Sequence, residues 1–73
     1  MIDDLELAGR IVASMDGCSN TVNEMIALVQ ERCSDAEFQA FRKAAGRVMG
    51  YIYTEVVAPL HHRHPELEPP EFR

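Results

Sequence analysis

Tryptophan is missing from this chain, and the remaining aromatics are two tyrosines and three phenylalanines in 73 residues. A chain of that length buries a modest fraction of its surface, so a staple or a partner is expected. The common staple is missing too. Cys18 and Cys33 do not make a disulfide framework, and no cysteine spacing suggests zinc. In a continuous helix the two stand about 22 Å apart along the axis, too far to pair with each other.

Positive charge is scarce: seven Lys and Arg face twelve Asp and Glu, a net charge of −5. Residues 1–33 carry −4 of it. A phosphate backbone repels such a chain, and Arg42, Lys43 and Arg47 make only a small basic cluster, which argues against nucleic-acid binding. No apolar run approaches the ~20 residues of a membrane span, and the acidic start "MIDDLELAG" has no run of signal length. The expectation is a cytoplasmic protein without membrane contact. In a reducing compartment both cysteines then serve as small buried apolar groups. Nucleophile–base pairs, phosphate loops and dinucleotide fingerprints are lacking as well. Ser14, Ser19 and Ser34 have no histidine near them in sequence, and the expectation is a non-enzyme with no cofactor.

What is present is helical periodicity, in a sequence that is 47% apolar. With residue 8 as heptad position a, the a series reads Met1, Ala8, Met15, Val22, Val29. The d series reads Asp4, Ile11, Cys18, Met25, Arg32, and the e series Leu5, Val12, Ser19, Ile26, Cys33. Together they form a broad apolar stripe at helical period. Gly17, and a Thr21–Glu24 capping signal, would allow a break near Gly17–Asn20. The stripe keeps its phase across that stretch, and one helix over about 3–32 is favoured over two.

"CSDAEF" is the clearest punctuation. Ser34 and Glu37 are spaced for reciprocal capping, and Asp35 and Glu37 suit the positive end of a helix dipole. A second helix is predicted over about 35–57, with a core side of Phe38, Phe41, Ala45, Val48, Ile52 and Val56. Pro59 lacks an amide proton and disfavours helix at Ala58, so the helix is expected to end or kink there. The domain reading is a helical hairpin over 1–58 and a proline-rich tail over 59–73, to which Leu60, Leu67 and Phe72 supply apolar anchors.

Two glycines fall inside the second helix, each costing about 1 kcal/mol relative to alanine. Gly46, Gly50, Thr54 and Ala58 form a row of small residues four apart. Flanked by Ile52 and Val56, that row would let another helix approach closely, as small-residue rows do in membranes. One helix hides only one stripe of its neighbour, so a lone hairpin leaves apolar surface wet. Two hairpins pairing into a four-helix bundle would cover it. The fold expected is all-α, a two-helix hairpin dimerising into a four-helix bundle, with Gly46, Gly50, Thr54, Ile52 and Val56 at the tight contact.

The residues that carry chemistry are few. His61, His62 and His64 form the one ligand-like cluster and suit zinc, copper or nickel, against the simpler reading of cations at a helix C-terminus. Glu55 falls near a core position, where it is either an acid in a pocket between subunits or, as helix drift favours, a rim residue. Tyr51 and Tyr53, two apart, point to different faces, one expected in the core and one at a rim. The function expected is that of a small acidic protein working through protein binding. Its partners would be a second copy of itself and an unidentified protein, with Tyr51, Glu55 and Leu60 as the candidate binding surface. Metal or small-ligand binding through the histidines is the alternative, and a small enzyme with a pocket between subunits is a further one.

Overall fold

A computed structural model describes residues 1–69. Residues 70–73, Phe72 among them, lie outside the described part. Helix α1 (Leu5–Arg32) runs unbroken through Gly17 and Asn20. Its start is capped by Asp4, whose carboxylate accepts from the Leu7 amide at 3.1 Å. Thr21, a possible cap in the sequence, instead donates its hydroxyl to the Gly17 carbonyl one turn back at 3.1 Å. That bond satisfies the side chain inside the helix, and so Thr21 does not end it.

The turn is short. Cys33 leaves helical geometry and Ser34 caps α2 (Asp35–Tyr51). The capping box is formed: the Glu37 amide donates to the Ser34 hydroxyl at 3.2 Å, and the Ser34 amide donates to the Glu37 carboxylate at 3.3 Å. With only two residues between them, α1 and α2 must run antiparallel as neighbours.

The helical path does not stop at Pro59. A π-helical segment (Ile52–Val57) leads into α3 (Ala58–Arg63), with Pro59 in the first turn of α3. The Ala58 amide reaches back five residues to the Tyr53 carbonyl. In a regular α-helix the Pro59 ring would collide with the Glu55 carbonyl, and the widened turn relieves that collision. It also corrects the phase. The inward residues Ile52, Val56, Leu60 and His64 recur every four residues, slower than the α period, and π turns keep them on one side. A 3₁₀ turn (Pro65–Leu67) then folds Leu67 against α1, 3.5 Å from where a Cβ on Gly9 would sit.

The core is thin and lies at one end. Ala8, Val12, Val57 and Leu60 are buried together, with Ile2, Ile11, Met15, Ile52, Val56 and Leu67 packed around them. Toward the bend the only buried residue among those described is Ala45. There Val22, Ile26, Val29, Phe38, Phe41 and Met49 are half-covered. The sequence placed Val48 on the core side of α2, but Met49 takes that position and Val48 is exposed. The molecule measures 45 × 22 × 15 Å. Its radius of gyration is 14.9 Å, against about 11 Å for a compact domain of this length.

Candidate functional site

Which face of α1 meets α2 decides what remains for anything else. The covered side chains are Ala8, Val12, Met15, Ser19, Val22, Ile26 and Val29 at the a and e positions, joined by Ile11 of the d series beside the core. The d positions Cys18 and Met25 are exposed, so the broad stripe of the sequence is two stripes. The expectation that both cysteines are buried is corrected: Cys18 and Cys33 are both exposed.

The second stripe reads Leu7, Ile11, Ser14, Cys18, Thr21, Met25, Leu28, spaced alternately four and three residues apart with no charge among them. Leu7, Met25 and Leu28 are 43%, 42% and 53% exposed. On α2 the corresponding flank carries Ala44, Val48 and Tyr51, the last two 51% and 66% exposed. Both helices are right-handed and run in opposite directions. Residues about 100° behind the core line on each therefore fall on the same side of the hairpin. One face thus carries the exposed apolar residues of both helices, Leu7, Met25 and Leu28 of α1 and Val48 and Tyr51 of α2.

The opposite face is polar. It carries Asp16, Asn20 and Asn23 on α1, and Gln39, Lys43, Gly46 and Gly50 on α2. A Cβ added to Gly46 or Gly50 would meet nothing within 4 Å, and the dip beside Gly46 is lined by Gln39, Arg42 and Lys43. At Gly46 and Gly50 the small-residue row is therefore open within the chain, on the side away from Leu7, Met25, Leu28, Val48 and Tyr51. Thr54 of the row is exposed, while the flanking Ile52 and Val56, expected at the tight contact, pack against the intramolecular core.

The three histidines diverge. His64 is buried, and its Nε2–H donates to the Ile2 carbonyl at 2.6 Å, a bond that fixes the tautomer because a carbonyl can only accept. Its Nδ1 lies 3.7 Å from a Glu66 carboxylate oxygen. His62 is exposed and His61 half-covered. Among the described residues no three His, Cys, Asp or Glu side chains are placed to hold a metal ion together. Arg63 pairs with Asp3 at 3.0 Å, so that Ile2 and Asp3 are both tied to the end of the helical path.

Leu60, expected in the candidate binding surface, is instead fully buried, because the helix continues past Pro59 and turns it inward. Glu55 is exposed. Neither tyrosine enters the core: Tyr51 stands on the apolar face, and Tyr53, 56% exposed, borders a hollow of about 570 Å³. Val12, Asp16, Val57, His61, Leu67 and Glu68 are among its walls. No helix of the described residues is long and apolar enough to cross a membrane. Comparison with known protein families, curated proteins and solved structures finds no match to this chain.

Ile11, Cys18 and Met25 of the second stripe already stand in the d series of the sequence; the residues missed there are Leu7, Ser14, Thr21 and Leu28 beside them. Their signal was the width of the first: a run apolar at a, d and e is wider than one neighbouring helix can cover.

Proposed function

We propose that this is a small acidic protein that works by protein–protein contact as a homodimer, without chemistry of its own, two hairpins closing into a four-helix bundle. The observation that carries the reading is the uncovered apolar face of α1 and α2. Its extent supports the same conclusion. The 8.2-kDa chain exposes 5362 Å², whereas a compact monomer of that mass exposes about 4,500 Å². The excess of roughly 800 Å² matches one partner's share of a stable interface. Exposed free thiols at Cys18 and Cys33 suit a reducing compartment, consistent with a cytoplasmic setting. The rim of such a dimer, with the exposed Glu55, is the surface on which a further protein would be recognised.

Sedimentation across the micromolar range tests the reading. The expected outcome is a dimer that Leu28→Glu converts to a monomer while helicity by circular dichroism is retained, since Leu28 is more than half exposed in the single chain. A native chain that sediments as a folded monomer would overturn it. The hollow beside Tyr53 favours one second reading, binding of a small amphipathic cation between Asp16, Tyr53 and His61, because its volume of about 570 Å³ falls in the usual range for ligand pockets.

A further inference from the structure

Resting on the homodimer reading, the geometry points to a specific partner arrangement: a second copy of this chain crosses α1 antiparallel to α1, on a two-fold axis that passes beside Cys18. Side-chain size varies systematically along the stripe. Along the second stripe the order is Leu7, Ile11, Ser14, Cys18, Thr21, Met25, Leu28, all exposed but Ile11, which is half-covered by the core. Large side chains stand at both ends and small ones in the middle, so the stripe is nearly a palindrome about Cys18. Turned end for end against itself, it sets Leu7 opposite Leu28, Ile11 opposite Met25, and Ser14 opposite Thr21, with Cys18 meeting its own copy. Gly17, where an added Cβ would meet nothing within 4 Å, borders the same crossing point and lets the two backbones come close.

Charge selects the same direction. The outer edge of the stripe carries Arg10, Gly17 and Glu24, seven residues apart. In the antiparallel register the Arg10 of one protomer lies beside Glu24 of its partner, and this pair occurs twice. At the ends Arg32 comes beside Asp4. The same register turns Glu31 toward Asp3, whose charge Arg63 offsets at 3.0 Å. A parallel arrangement would set Arg10 on Arg10 and Glu24 on Glu24, which is unfavourable.

The second helix agrees. Counting equally from the Cys33–Ser34 bend, Val48 and Tyr51 lie at the height of Cys18. The axis that pairs Cys18 with its copy therefore sets the exposed Val48 against the exposed Tyr51 of the partner, twice. Both α1 and α2 then pair with their own copies, an isologous interface of the kind two-fold dimers use.

The test uses the full chain with one cysteine left. A short bis-maleimide, which bonds one thiol at each end, is applied to Cys33→Ser, where Cys18 remains, and to Cys18→Ser, where Cys33 remains. Both samples are also sedimented. Antiparallel pairing couples the first into covalent dimers and leaves the second uncoupled, because the two Cys33 residues then stand roughly 45 Å apart at helical rise. Coupling through Cys33 would mean parallel pairing and overturn the inference. A dimer that sediments as such but does not couple at Cys18 would also overturn it, while leaving the homodimer reading intact. A monomer would remove both. A charge exchange checks the register without cysteines. Arg10→Glu weakens the dimer about tenfold and Glu24→Arg in the same chain restores it. A double variant as weak as the single one would refute the register.

Discussion

His64 holds the N-terminal segment in place, and what it contributes can be separated into parts. Its ring fills space at the end of the core, next to the fully buried Leu60, and its Nε2–H satisfies the carbonyl of Ile2. Removing the donor leaves that carbonyl short of a partner, which costs about 1–3 kcal/mol in a covered position. His64→Leu keeps the packing and loses the donor, whereas His64→Gln keeps an N–H that can reach the same oxygen. Chemical denaturation should rank wild type above His64→Gln and His64→Gln above His64→Leu. Equal stability of the two variants would mean that packing alone holds the segment. The Asp3–Arg63 pair beside it is well exposed on both sides, and an ion pair in that setting adds little. The weight of this corner therefore rests on one hydrogen bond and on Leu60.

At the scale of elements, Ser34 is the residue on which the bend depends. Its hydroxyl and the Glu37 carboxylate satisfy each other's backbone amides at the first turn of α2. Ser34→Ala should lower stability by about 1 kcal/mol. It should be read as a lower urea midpoint at unchanged slope, because the surface exposed on unfolding stays the same. This bend was legible in the sequence because capping is local chemistry, carried by two side chains three residues apart. The unbroken α1 was legible for a related reason: a phase that survives Gly17 is visible without knowing what lies across from it. The path beyond Val57 was not legible. Pro59 signals the loss of an amide, but whether the chain stops or widens into a π turn depends on Leu60 and His64 finding a core. That core is made with Ala8, Val12 and Ile2, more than forty residues away. The apolar surface was legible as an excess, but its division into a covered and an uncovered stripe was not. Which flank of a broad stripe is buried is set by the neighbouring helix rather than by the stripe.

For the molecule as a whole, the two faces of the hairpin make opposite demands on Gly46 and Gly50. If the second copy closes the face of Leu7, Met25, Leu28, Val48 and Tyr51, the glycines lie on the outside of the bundle. No described glycine has a positive φ, so nothing in the backbone requires glycine at either position, and a Cβ there would meet nothing within 4 Å. Each replacement by alanine then removes a mid-helix penalty of about 1 kcal/mol. The double variant Gly46→Ala with Gly50→Ala should gain about 2 kcal/mol, a melting point roughly 8–16 °C higher for a domain of this size. Its dimer affinity should not change. A seam through the glycine row predicts the reverse, since added side chains would hold two closely packed helices apart. Gly50→Leu makes the contrast larger: on an outer surface it is accommodated, and in a seam it overpacks and splits the dimer. Sedimentation of that single variant, beside Leu28→Glu, assigns the interface to one face or the other. A dimer lost in Leu28→Glu and kept in Gly50→Leu places it on the apolar side, and the opposite pair of results places it on the glycine side.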